Sequence, residues 1–325
     1  MLKVRVEKDE VRIGRHLSIT FQRTLRIPDD GETYPLPPTL GRFPISRATD
    51  NARNAPRQWL EHQGVFIPMY QREALWIAFD GASWRPNAVQ VAVGKINAIS
   101  GEAWDERLSS TPQNYLVCPD QPWLDGINVG AGVVRQFVAM PMGMGYSIEG
   151  QLTGHEKYGG IQIRVFEPRP GRFPDRPPHH SKELISAIKS ARRAAPASMG
   201  LGAGGRLRQK IYPDEYGFDT WDQENFGSVF VHILNSEHYT ELTGQAPPPT
   251  PISAGTYTEH GFPWFELYDE EKGDVAASKR LTKICSIREK DEKGADPLDN
   301  EGFSISQGRV EKIRLPAKRR KPPAR

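Results

Sequence analysis

The chain is poor in cysteine. Two residues in 325, Cys118 and Cys285, stand far apart. That is too few for the disulfide framework of a small secreted domain, and no pair has the C-x2-C spacing of a cysteine metal cluster. Long apolar runs are also missing. The most apolar stretch, 129–144, is broken by Arg135, Gln136, Pro141 and several glycines, well short of the ~18 residues that a membrane helix needs. After its basic start the N-terminus has no apolar run, so no secretory signal is expected there. None of the eight histidines falls in an H-E-x-x-H or H-x-H-x-D pattern. The expectation is a cytoplasmic protein with no membrane contact, no metal and no cofactor.

What is present is enough for a sizeable core. Hydrophobic residues are 37% and charged residues 26% of the chain, outside the range of disordered composition. Strands dominate the pattern. Leu2, Val4 and Val6 alternate with basic residues; Leu17, Ile19, Phe21, Leu25 and Ile27 alternate with polar ones; Val89–Val93 and Ile161–Val165 repeat the period of two. Shorter runs at 65–67, 74–79, 115–118, 133–140 and 229–234 are β-branched or aromatic and bounded by turn formers. No regular βα alternation argues for a doubly wound fold. Proline-rich connectors occupy 28–58 and 168–180. Helices are predicted from Ser181, over 236–242 and 253–260 with Ser starts and Gly stops, and over 275–287.

These patterns predict a mainly β fold: an antiparallel β-sandwich or jelly-roll-like core over residues 1–167, a smaller mixed α+β part over 168–287 packed on it, and a mobile charged segment over 288–325. One integrated unit is an equal alternative to two domains.

Chemistry-bearing motifs are sparse. The segment Met199–Arg206 has the glycine spacing of a phosphate loop, so Gly202, Gly204 and Gly205 with Arg206 and Arg208 are candidate anion-binding residues. No Gly-Lys-Ser/Thr accompanies it, and the alternative is a tight glycine loop. The segment Cys118–Gly126 is dense in turn formers around one indole. It makes Trp123 a candidate stacking platform with Gln121 and Asp120 beside it, the arrangement of many sugar sites; otherwise Trp123 plugs the core. Asp125 and Glu149 are the candidate acid and base of a hydrolase, should they meet.

The last seventeen residues carry eight Lys/Arg against Glu311 alone, leaving the rest of the chain mildly acidic. That tail, 309–325, suits contact with nucleic acid or another polyanion. The segments Ala197–Arg206, Arg135–Met142 and Gly261–Phe265 resemble those of a set of hypothetical bacterial proteins. The resemblance implies a bacterial, cytosolic origin and carries no activity, ligand or fold. Three functions follow as expectations: a non-catalytic binding or assembly protein with a protein partner (a second copy or another chain), a sugar or small-molecule enzyme on the β core, or anion and nucleic-acid binding through the tail.

Overall fold

The computed structural model describes residues 1–61, 64–176, 198–259, 263–267, 272–292 and 310–313. In chain order the first strands are β1 (Val4–Glu7), β2 (Glu10–Ile13), β3 (Leu17–Thr24), β4 (Thr33–Tyr34), β5 (Thr39–Arg42) and β6 (Ser46–Arg47), followed by helix α1 (Arg57–Glu61). Then come β7 (Val65–Met69), β8 (Ala74–Gly81), β9 (Asn87–Val93), β10 (Ile96–Asn97), β11 (Leu116–Cys118), β12 (Trp123–Leu124), β13 (Gly126–Gly130) and β14 (Val133–Pro141). Helix α2 (Ile148–Thr153) precedes β15 (Ile161–Pro168), β16 (Ser198–Arg208) and β17 (Trp221–Asn235). The remainder is α3 (Ser236–Thr243), α4 (Ala254–Glu259), β18 (Trp264–Leu267), α5 (Ile287–Asp291) and β19 (Val310–Ile313).

Strands β1 to β17 form one large, mainly antiparallel sheet, and β18 and β19 form a second, two-stranded one. Its backbone path runs from β2 to β3 and then β8, which pairs with β14 at one end and β12 at the other. From β14 it continues through β16, β17, β15 and β9. The parallel pairings are β4 on β16 and β7 on β17. Leu2 N–H donates to Phe226 C=O at 2.7 Å and ties the first strand to β17. The sheet thus crosses residue 168: β16 and β17 are members of it.

Period-two alternation fills one shared core. Leu17, Ile19 and Phe21 of β3 and Leu75, Ile77 and Phe79 of β8 meet Val89, Val91 and Val93 of β9, Ile161, Ile163 and Val165 of β15, and Val229, Val231 and Ile233 of β17. The opposite faces are covered locally. Trp59 and Tyr239 pack with Phe66 and Leu234; Leu108, Tyr115 and Trp221 pack with Ala88 and Phe166; Ile287 packs with Ala74, Val138 and Met140. A buried ion pair, Arg23 Nη2 to Glu73 Oε1 at 2.5 Å, lies alongside this core. No helix among the described residues is long and apolar enough to cross a membrane.

Two local expectations are corrected. The glycine segment is not a loop but the middle of β16, an eleven-residue strand. Met199, Leu201 and Ala203 enter the core while the glycines between them face the covering layer. A Cβ on Gly202 would sit 3.1 Å from Met140 and 3.3 Å from Ile287, and one on Gly205 only 2.0 Å from the Pro28 carbonyl oxygen. Glycine here lets α2, α5 and the chain at 27–28 approach the strand.

The helix expected over 275–287 is instead a strap with a single 3-10 turn at Leu281–Lys283. Asp274 accepts from the N–H groups of Gly132 (2.7 Å) and Ile211 (2.9 Å), and Val275 N–H donates to Ile211 C=O. Leu281, Ile284 and Ile287 are buried along it. The strap ends in α5, whose Ser286 and Glu289 form a capping box. There Asp291 takes both Nη atoms of Arg72 at 2.8 Å and the Tyr146 hydroxyl at 2.8 Å. Through these bonds α5, at the head of the charged segment 288–325, meets Arg72 and Tyr146. The helix expected from Ser181 and most of the tail lie outside the described residues; 310–313 of the tail pair with β18.

Candidate functional site

Glu149 starts in α2, where Ser147 caps the first turn by accepting from Gly150 N–H. Its carboxylate is committed to backbone. One oxygen accepts from Lys157 and Tyr158 N–H, both at 2.9 Å; the other accepts from Tyr158 (3.1 Å) and Gly159 (2.8 Å). It pins the 157–159 turn. Asp125 is 2% exposed and belongs to a different set of partners. Its Oδ2 accepts from Gln209 Nε2 at 2.9 Å, while its N–H donates to Gln209 Oε1 at 3.0 Å. Burial pushes its carboxyl up to about 7, against the pull of the Trp123 indole and the Gln209 amide. No hydrogen bond joins the two acids.

Gln121 is buried and holds backbone: it accepts from Tyr212 N–H (2.9 Å) and donates to the carbonyls of Trp123 and Lys210, both at 3.3 Å. Asp120 accepts from the Tyr216 hydroxyl at 3.1 Å. Trp123, Gln121 and Asp125 are thus brought together, with Gln209 from the end of β16 as the link. Arg206 and Arg208 hydrogen-bond elsewhere. Arg206 donates to Gly31 C=O at 3.3 Å, and Arg208 pairs with Glu266 of β18.

The register of five strands assembles something around Trp123 that sequence reasoning missed. On β8, Leu75, Ile77 and Phe79 face the core, so Trp76, Ala78 and Asp80 face outward. Three transverse rows result. Arg12 of β2 pairs with Ser18 of β3, which pairs with Asp80. Thr20 pairs with Ala78, which pairs with Trp123 of β12. Arg42 of β5 pairs with Gln22, which pairs with Trp76. The two indoles, both half-buried, stand edge to face with centroids 6.2 Å apart. Ala78 stands in the row of Trp123, two residues along β8 from Trp76. The adjoining Thr20 and Gln22 are buried and satisfied: Gln22 donates to Thr20 at 2.6 Å and accepts from Thr39 at 2.8 Å.

The charges at the edge of this face neutralise one another. Arg12 and Ser18 donate to Glu10, and Arg42 lies 3.4 Å from Asp9 and 3.9 Å from Glu10. Burial raises the Glu10 carboxyl, but the bonds from Arg12 and Ser18 outweigh it and hold it below its usual value. One donor stands out: the Trp76 indole nitrogen is buried and has no hydrogen-bond partner among the described residues. A buried donor left unsatisfied costs about 1–3 kcal/mol, and such defects are few in folded proteins.

Other features offer less. An open depression of about 390 Å3 beside β1 and β6 is lined by Glu7, Lys8, Ser46, Arg47, Asp50 and Gln245 among others, with charges of both signs. Among the described residues no group of three His, Cys, Asp or Glu is placed to hold a metal ion. Cys118 is buried, which pushes its thiol well up and away from nucleophilic use.

No family model, curated protein or solved structure matches the chain.

The signal for Trp76 was present in the sequence. Alternation through 74–80 places it with Ala78 and Asp80 on one face. What the sequence does not contain is the register that sets Gln22 and Thr20 beside them.

Proposed function

We propose that this is a non-catalytic binding protein, cytoplasmic and built on a sandwich-like β core, and that its ligand face is the outer surface of β2, β3, β8 and β12. The observation that carries the reading is the pair of half-buried indoles, Trp76 and Trp123, standing edge to face on a rigid sheet with the exposed carboxylate of Asp80 on the same face of β8. Rigid elements place such groups better than loops do. The carboxylates that an acid–base enzyme would use argue the other way from catalysis. Glu149 spends both oxygens on backbone N–H groups, and Asp125 is closed in by Gln209.

The test is native mass spectrometry of the full chain purified from its own cells, beside a Trp76→Ala/Trp123→Ala variant. The expected result is a bound mass on the wild type that the variant loses. A wild type that carries nothing, or a variant that keeps the same adduct, overturns the assignment of this face.

A further inference from the structure

We infer that the gap between β1 and β6 captures the free C-terminus of an extended peptide, which adds to β1 as a short strand. This site is separate from the indole face and does not depend on it.

The gap follows from two hydrogen-bonding registers. Gly14 N–H donates to Lys3 C=O, so Lys3, Arg5 and Glu7 turn their backbone groups toward β2. Val4 and Val6, between them, turn theirs outward. On β6, Ala48 N–H donates to Gly64 C=O, so Ser46 bonds to β7 while Ile45 and Arg47 turn outward. These two outward edges touch at one backbone bond, Ile45 N–H to Lys8 C=O at 3.1 Å. Beyond it they part. The Arg47 side chain reaches across, its Nη2 donating to Val6 C=O at 3.2 Å. The N–H groups of Val4, Val6 and Arg47 have no hydrogen-bond partner among the described residues. The open depression of about 390 Å3 lies at this parting, with Val6 and Ile45 as its apolar lining. An unpaired strand edge beside a cleft is a template for an added strand.

The closed end of the gap fixes which part of a peptide fits. A strand pairing with Val4 and Val6 cannot run past Lys8, whose carbonyl already holds Ile45. It has to end there. The charges at that end favour a carboxylate. The acids of the β1–β2 hairpin are answered by other arginines: Glu7 and Glu10 by Arg12, and Asp9 by Arg42. Lys8 and Arg47 have no ion-pair partner among the described residues, and both are exposed. Asp50, which accepts from the Thr49 hydroxyl, is the remaining acid of the rim. Two free cations thus outnumber it. A peptide that runs parallel to β1 places its last N–H on Val6 C=O and its terminal carboxylate between Lys8 and Arg47. The Arg47 guanidinium then exchanges a neutral carbonyl for a charged acceptor, the stronger bond of the two. A peptide entering in the opposite sense would bring an ammonium group to the same two cations.

The experiment pans N-acetylated random hexapeptides with free carboxyl ends on the full chain. The most enriched sequence is resynthesised as the acid, as the C-terminal amide, and with a Gly-Ser-Gly extension. The acid is expected to bind and to slow hydrogen exchange in segments 2–8 and 45–48. The amide and the extended peptide should bind at least about tenfold more weakly, as should the acid to Lys8→Glu and to Arg47→Glu. Lys279→Glu, on the exposed side of the strap, and the Trp76→Ala/Trp123→Ala variant should leave the affinity unchanged. Circular dichroism confirms that each variant is folded. Failure to enrich any sequence overturns the inference, and so does equal binding of acid and amide. Protection confined to other segments also overturns it. Loss of binding in the tryptophan variant would move the peptide to the indole face, sinking this site while sparing that one.

Discussion

Asp125 is an acid that the fold keeps out of water, and that has a measurable sign. Its carboxyl titrates near 7 in the folded chain against 3.8 for the ordinary side chain, because burial disfavours the charged form. Between those values the folded protein holds a proton that the unfolded chain has released. The contribution of this residue to stability is therefore complete below about pH 4 and is lost as the pH rises through about 7. Glu73, also raised to about 7 by burial with Arg23 pulling it back, titrates in the same window. A variant is needed to separate them. Asp125→Asn keeps an oxygen for Gln209 and removes the titration. Its unfolding free energy from urea titrations should fall less steeply with pH than that of the wild type, by up to about 1.4 kcal/mol per pH unit. Parallel profiles would mean that Asp125 titrates as an exposed aspartate does. At this scale the sequence was only partly legible. Trp123, Gln121 and Asp125 were visible as an indole among turn formers and polar groups. The partners of Glu149 are backbone N–H groups of residues 157–159, which no side-chain pattern announces.

At the scale of elements, β16 shows how composition can hide a period. Met199, Leu201 and Ala203 alternate with Gly200, Gly202 and Gly204, the period of a strand, yet glycine density reads as a loop. The glycines are there for close approach. Gly205→Ala would place a methyl 2.0 Å from the Pro28 carbonyl oxygen, backbone that cannot rotate away. Thermal and urea unfolding should show a loss of about 1–3 kcal/mol or more. An unchanged midpoint would mean that the chain at Pro28 moves freely from the strand. The strap misled the reading differently. Leu281 and Ile284 have helical spacing, but ahead of them Val275 bonds by its backbone to Ile211 and Asp274 by its carboxylate to Gly132. Where strand pairing is to neighbours in sequence, as in β1 to β3, alternation alone was sufficient.

For the whole molecule, the strap from Asp274 to Asp291 closes the covering layer. It buries Leu281, Ile284 and Ile287 and joins Asp291 to Arg72 and Tyr146. Losing a buried Leu or Ile to Ala costs about 2–5 kcal/mol, and domains are stable by only about 5–15 kcal/mol. A chain ending at residue 273 should therefore lose its cooperative unfolding transition in calorimetry. A truncated chain that melts like the full one would reduce the strap to a surface decoration. The mainly β class was legible because alternation is local. The single sheet across residue 168 was not, because pairing of β14 with β16 and of β7 with β17 joins segments that share no local signal.

That same β17 has a consequence in time. It receives β15 on one edge and β7 on the other, and it also bonds to Leu2. A ribosome adds about 5–20 residues per second, so β3 emerges on the order of 10–40 s before the last residues of β17 exist. During that interval the edges of β7, β14 and β15 are unpaired templates facing the crowded interior of a cell. Non-local strand closure is also slow in itself. This protein is one whose birth is more hazardous than its life, and a nascent chain of about 200 residues is the species that a holding chaperone would meet.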